Sequence, residues 1–255
     1  MLKTIIIEDD EFNRSRLTRM LKNYFYDSVE LSGTFANHAD GFDAINAGGV
    51  DLVFFSLDSC LQKIVDTNFQ WEWCQNIKNI IVTAPNKQLE QKALCLSGMP
   101  HLVKPFFLSD LVVKINDIPK KHKEYDYKKR LEILSHNLIH EPDEKRRLCL
   151  QTPAGLLIVS ITDVLHIHQT PGNALIRISK NRLPYTEVQL PADSYDLTRW
   201  TDLFCKVQDG LYINVHAVDS YHMSDLVTLK DGTTIPVFDK YRANLLRLIA
   251  DIWLR

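Results

Sequence analysis

The sequence predicts an α/β unit built on a doubly wound parallel five-stranded sheet, followed by a mostly β unit. Three observations predict it. Short β-branched runs alternate with apolar stripes of helical spacing over residues 1–116. A charge-dense stretch interrupts this pattern from 117 to 147. From Leu148 onward the apolar period drops to two, with turn residues between the runs.

Thr4-Ile5-Ile6-Ile7 reads as a buried strand, ended by Glu8-Asp9-Asp10. Leu17, Met20, Leu21 and Tyr24 follow at i, i+3, i+4, i+7, the stripe of an amphipathic helix. Residues 28–35, Asp51–Phe55, Ile80–Ala84 and His101–Val103 supply the other strands. Leu108, Leu111, Val112 and Ile115 mark a closing helix after Lys104-Pro105. Strands alternating with helices imply crossover connections and a sheet covered on both faces. Residues 117–147 hold nine Lys/Arg and seven Asp/Glu, with a short seam at Leu131, Leu134 and Leu138. This stretch reads as a partly helical linker ending near Pro142, either a solvated spacer or a dimer-forming helix. Leu148–Leu150, Leu156–Val159, Val164–His168, Ala174–Ile178, Leu211–Ile213, Leu226–Leu229 and Thr234–Val237 are the strands of the second half. Asp231-Gly232 between the last two is a strong hairpin signal. Leu245, Leu248, Ile249 and Ile252 form a final helix. The expected division is therefore 1–118, a linker at 119–147, and 148–255.

Composition narrows the class. The 255 residues carry 30 Lys+Arg and 32 Asp+Glu, a formal net charge of −2. That balance excludes a histone-like polycation and an acidic disordered tail. No apolar run approaches the ~20 residues of a membrane helix, and Glu8 arrives too early for a signal peptide. Five cysteines, an odd number without a C-x-x-C pair, fit a reducing compartment and offer no zinc spacing. The expectation is a soluble, cytoplasmic chain with no membrane partner.

Three carboxylates directly after a buried strand would line the crevice at the carboxyl end of an α/β sheet. Oxygen ligands of this kind suit Mg²⁺; alternatively the loop caps the positive end of the next helix. Thr83 ends another strand, and Lys104-Pro105 follows a third. Together these residues give the first half a pattern that resembles the receiver domain of two-component response regulators, over about residues 1–116. The resemblance implies a flavodoxin-like fold, Glu8 and Asp9 as the acidic pair that holds Mg²⁺, and Thr83 and Lys104 as phosphoryl-pocket residues. It also implies a phosphoacceptor aspartate at the end of Asp51-Leu52-Val53-Phe54-Phe55-Ser56, where Ser56 stands instead. A neutral hydroxyl without an adjacent base does not replace a carboxylate nucleophile. Asp58, two residues on, would lie about 6.6 Å further along an extended strand, and only a bulge would bring it back. His101 occupies the position of the aromatic residue that reports phosphorylation in the family. The expectation is a pseudo-receiver, intact in fold and not switched by aspartyl phosphorylation, with weakened Mg²⁺ affinity and a more stable metal-free state. An enzyme using Glu8, Asp9, Asp10, Mg²⁺ and Lys104 for phosphoryl chemistry is set aside, because no carboxylate nucleophile stands in the expected place.

Residues 148–255 resemble a LytTR-type DNA-binding domain. The runs Phe204–Asn214 and Val227–Val237 carry the likeness, with Val164–His168 and Gly172-Asn173 ahead of them. The resemblance implies promoter DNA as a partner and a homodimer as the working form; Ser56 leaves open whether a sensor histidine kinase acts on the chain. The implied DNA-binding positions are Lys206, Gln208, Asp209, Asn214, Lys240 and Arg242, with Arg177, Lys180, Arg182 and Arg247 as further cations. Two positions depart from the family pattern: Gln208-Asp209 replaces a His-Arg or His-Asn pair, and Phe238-Asp239-Lys240 follows the last hairpin. Asp209 and Asp239 would bring negative charge towards phosphates, while Gln208 retains groups that read adenine and Asp209 groups that accept from cytosine. Residues 1–116, 117–147 and 148–255 carry net charges of −3, +2 and −1. A near-neutral output half leaves two readings: a transcription regulator that binds promoter DNA, or a protein-interaction scaffold in which both sites have degenerated.

Overall fold

A computed structural model describes residues 1–58, 60–65, 71–75, 77–118, 125–140, 145–152, 154–179, 187–191 and 203–253. The chain divides into two compact units, Met1–Ile139 and His140–Arg255.

In the first unit β1 (Leu2–Ile7), β2 (Val29–Phe35), β3 (Leu52–Ser56), β4 (Asn79–Ala84) and β5 (His101–Val103) form one parallel sheet in the order β2-β1-β3-β4-β5. The register stacks Ile5, Val53 and Ile80, then Ile6, Phe54 and Ile81, then Ile7, Phe55 and Val82. Alternation along each strand sends these rows to opposite faces. Ile6, Phe54 and Ile81 pack with Leu17 and Leu21 of α1 (Glu11–Tyr24) and Leu111 and Ile115 of α5 (Leu108–Asp117). The other rows pack under α2 (His38–Asn46), α3 (Leu61–Val65) and α4 (Gln88–Ser97). Both faces are thus covered, which is why these strands read as continuous apolar runs rather than alternating ones.

The seam inside the expected linker belongs to this unit. Helix α6 (Tyr127–Ile139) buries Tyr127, Leu131, Leu134 and Leu138 in the same core as Trp71, Trp73 and Leu94. Arg130 is buried beneath the Tyr125 ring, 4.0 Å from its centroid, and donates to the Ser97 carbonyl at 3.2 Å. The Tyr125 hydroxyl donates to the Gly98 carbonyl. The last carbonyls of α4, which have no partners within their own helix, are closed by the segment that follows α5. Neither a solvated spacer nor a helix with its seam free for a partner describes α6. Residues 119–124 and 141–144, Pro142 among them, lie outside the described residues.

Among the described residues the second unit has three antiparallel sheets and one α-helix. β6 (Arg147–Thr152) pairs with β7 (Gly155–Ser160). β8 (Val164–Thr170), β9 (Asn173–Ile178), β10 (Glu187–Pro191), β11 (Phe204–Gln208) and β12 (Leu211–Asn214) form a five-stranded sheet ordered β10-β9-β8-β12-β11. β13 (Val218–His222), β14 (Leu226–Leu229) and β15 (Thr234–Pro236) form the third. The Asp231-Gly232 signal is fulfilled: Thr228 pairs with Thr234, Gly232 takes φ +84°, and Asp231 accepts from the Thr233 amide at 2.9 Å. Helix α7 (Asp239–Trp253) buries Leu245 and Ile249 against Cys205, Val207, Val227 and Ile235. Among the described residues no helix is long and apolar enough to cross a membrane.

If α6 is part of the first unit's core, Leu131→Ala costs about 2–5 kcal/mol, the range of a buried leucine truncation. A residue on a solvated spacer would change stability by less than about 0.5 kcal/mol. Urea unfolding followed by the fluorescence of Trp71 and Trp73, which share that core, measures the difference.

Candidate functional site

The strand order reverses between β1 and β3, so their carboxyl ends open a crevice. Glu8 follows β1, Ser56 ends β3, Thr83 lies opposite Ser56 on β4, and Lys104 follows β5. The parallel register therefore delivers four residues separated by up to 96 positions to one place. The Lys104 ammonium is their centre. It donates to Glu8 Oε1 at 2.8 Å, Ser56 Oγ at 3.1 Å and Asp58 Oδ2 at 2.8 Å. Thr83 Oγ1 donates to the other Glu8 oxygen at 3.1 Å. Ser56 Oγ lies 3.5 Å from Asp9 Oδ1.

The three adjacent carboxylates divide their roles. Glu8 is 1% exposed, and burial pushes its carboxyl up although Lys104 and Thr83 pull it down. Asp10 caps α1, accepting from the Asn13 amide at 2.7 Å, as the helix-capping reading of the loop supposes. Asp9 is exposed. Arg14 fixes the loop backbone by donating to the Glu8 and Asp9 carbonyls at 2.7 and 3.1 Å.

Asp58 requires a correction. The ladder ends with the Leu57 amide donating to the Thr83 carbonyl, and the Cys60 amide then closes a turn on the Leu57 carbonyl. That turn, rather than a bulge, folds the Asp58 carboxylate, 33% exposed, back onto Lys104. His101 is buried, with Nδ1 at 2.8 Å from the Met99 carbonyl.

The pocket does not fit the Mg²⁺ implied for Glu8 and Asp9. Both Glu8 oxygens are engaged, one by an ammonium that repels a second cation. Among the described residues no group of three His, Cys, Asp or Glu is arranged to hold a metal ion. Lys104 carries the positive charge here. Carboxylate hydrogen bonds and charges hold its ammonium above its ordinary value against the opposing effect of burial.

In the second unit, residues distant in sequence meet on one exposed surface. Gln208 Nε2 donates to the Pro236 carbonyl at 2.7 Å, and the Phe238 amide to the Val207 carbonyl at 2.9 Å. These bonds seat the β11–β12 turn against the β15–α7 junction. Asp209 lies between them. Lys240 Nζ donates to both its oxygens at 3.0 and 2.9 Å, the Tyr241 hydroxyl donates at 2.7 Å, and Lys206 Nζ stands 3.7 Å away. The Tyr241 and Lys240 hydrogen bonds hold the Asp209 carboxyl at about 2. Lys206 also lies over the Tyr212 and Tyr241 rings, 5.8 and 5.3 Å from their centroids. Gly210 is required at the turn: φ is +78°, and a Cβ there would meet the Gln169 carbonyl oxygen at 2.4 Å.

The expected contact residues separate on this geometry. Lys206, Gln208, Asp209 and Lys240 lie on the surface formed by the β11–β12 turn and the start of α7, whereas Arg242 reaches Asp225 between β13 and β14. Asn214 is not on that surface either. It is 0% exposed, donates to the Ile161 and Val164 carbonyls at 2.8 Å, and accepts from the His216 amide at 3.0 Å. It is a structural cap, unable to reach a base. Arg242 is held by Asp225 and Asp239, Arg177 by Glu187 and Asp231, and Arg247 by Asp251. Lys180 and Arg182 lie outside the described residues. Tyr212 and Tyr241 went unremarked in the sequence; their signal is an aromatic residue beside or across from each lysine.

No family model and no curated protein matches the chain. Solved structures similar to it include the LytTr DNA-binding domain of a methyl-accepting/DNA response regulator from Bacillus cereus, 18% identical, covering 40% of this chain and 95% of the other at a TM-score of 0.32. The response regulatory domain of mrkE from Klebsiella pneumoniae is 18% identical, covers 47% and 96%, and scores 0.35. A LuxR-family DNA-binding response regulator from Staphylococcus aureus is 17% identical, covers 46% and 98%, and scores 0.37.

Lys104→Met leaves the buried Glu8 carboxylate without its counter-ion, which costs about 3–5 kcal/mol near pH 7. Burial raises the folded-state pKa of Glu8 above its unfolded value, so the protonated form favours folding and stability falls as pH rises above 4.5. Lys104 moderates that fall, and its own contribution is lost only as pH rises through its elevated pKa, above 10.5. The gap between wild type and variant should therefore widen from pH 4.5 to pH 8. Urea unfolding across that range checks it; a gap independent of pH would show that Glu8 is not the group exposed by the substitution.

Proposed function

We propose that the chain is a response-regulator-like transcription regulator that binds promoter DNA through its second unit, and that its first unit is not switched by aspartyl phosphorylation. The observation that carries the DNA reading is the convergence of Lys206, Gln208 and Lys240 on one surface from two sequence-distant segments. Two lysines, an amide and two tyrosines in one patch supply phosphate contacts and polar groups for base edges. The phosphorylation reading rests on the first unit. Ser56 stands in the acceptor frame, and the lysine that would meet a phosphoryl group is already bonded to Glu8, Ser56 and Asp58.

A protein-interaction role is the second reading, and one observation favours it. Arg177, Lys206, Lys240, Arg242 and Arg247 each have a carboxylate within ion-pair distance in the same unit. Cations paired in this way release fewer counter-ions from DNA.

Fluorescence anisotropy with a labelled random duplex separates the two. With about two phosphate contacts available, the affinity of a DNA binder should fall with salt at a logarithmic slope of about −2. Absence of binding at low salt would favour the interaction reading.

A further inference from the structure

We propose that Asp209 is a built-in occupant of a phosphate site, and that its carboxylate competes with DNA for Lys206, Lys240 and Tyr241. The inference rests on the DNA-binding reading and names the element that limits it. A carboxylate bound by two oxygens to one ammonium, by one oxygen to a tyrosine hydroxyl, and 3.7 Å from a second ammonium has the surroundings of a bound phosphate. Both are compact oxyanions that accept several charge-assisted hydrogen bonds. Three donors from two segments thus converge on one anion, and the anion present is the chain's own.

The geometry favours exchange over permanent closure. Asp209 is exposed, and its side chain is free of backbone constraint because the turn is held by other bonds: the Gln169 amide donates to the Gly210 carbonyl at 2.7 Å. Exposed ion pairs are weak, so a polyanion with several phosphates can displace one tethered carboxylate. The displaced Asp209 would still lie beside the phosphate and repel it. Its pKa of about 2 keeps the carboxylate charged throughout the physiological range, so acidification does not open the site. The occupant lowers affinity at all working pH values, and sequence-matched contacts elsewhere must overcome it. Binding to arbitrary and to matched DNA is weakened by the same factor, so only a site with further contacts retains useful affinity.

The test is Asp209→Asn, which preserves the shape of the side chain and removes its charge, compared with wild type and with Asp209→Asn/Lys240→Met. All three are titrated with the same labelled random duplex at several salt concentrations. The expected result is an affinity gain of about tenfold or more at low salt for the single variant, with the salt slope steeper by about one. The double variant should lose that gain. Wild-type binding that Asp209→Asn leaves unchanged in affinity and slope would overturn the inference while the DNA reading stands. No binding by any of the three would overturn both. Circular dichroism of each variant confirms that the exposed turn tolerates the changes.

Discussion

The ammonium of Lys104 organises the crevice of the first unit. A carboxylate as buried as Glu8 is tolerated only with a counter-ion and hydrogen bonds to its oxygens, and Lys104 and Thr83 supply both. The ammonium in turn needs acceptors on its remaining hydrogens, which Ser56 and Asp58 provide. The partners come from the ends of β1, β3 and β4, so the cluster exists only if the parallel register is correct. Ser56 matters by what it lacks: a neutral hydroxyl lets two carboxylates, Glu8 and Asp58, share one lysine without a third. The crevice that the topology creates for an anion or a metal is filled by the chain's own charges.

The second unit repeats the principle at its surface. Lys240 and Tyr241 hold Asp209, and Asp225 and Asp239 hold Arg242. The near-neutral count of this half is a sum of local pairs rather than of separate acidic and basic faces. These pairs differ from the Lys104 cluster in consequence. Exposed pairs are weak and exchangeable, whereas removing one partner of a buried pair strands a charge. The first unit is therefore locked by its ion pairs, while the second is only biased by them.

Much of this was legible in the sequence, for identifiable reasons. Strands β1, β3 and β4 of the parallel sheet showed as apolar runs because both faces are covered. The closing hairpin showed because Asp231-Gly232 fits a turn that few other residues fit. The pocket residues Glu8, Thr83 and Lys104 were legible because strand ends in a parallel sheet meet at one edge. The turn that returns Asp58 to Lys104 was not, since it is closed by the Cys60 amide bonding to the Leu57 carbonyl rather than by a turn-forming residue type. Strand β13, Val218-Asp219-Ser220-Tyr221-His222, lacks an apolar alternation and is defined by its pairing with β14. The place of α6 escaped because Leu131, Leu134 and Leu138 are a seam whatever they pack against. Asn214 left two readings in the sequence, a turn-satisfying residue or a base reader, because a buried cap and an exposed base reader have the same side chain.

Treatment with acetyl phosphate in the presence of Mg²⁺, followed by intact-mass and peptide mass spectrometry, tests the central claim most directly. If Lys104 and its partners close the crevice and no carboxylate stands at Ser56, no acyl-phosphate adduct forms in the first unit. A hydroxylamine-labile adduct at Asp58 or Asp9 would contradict the account.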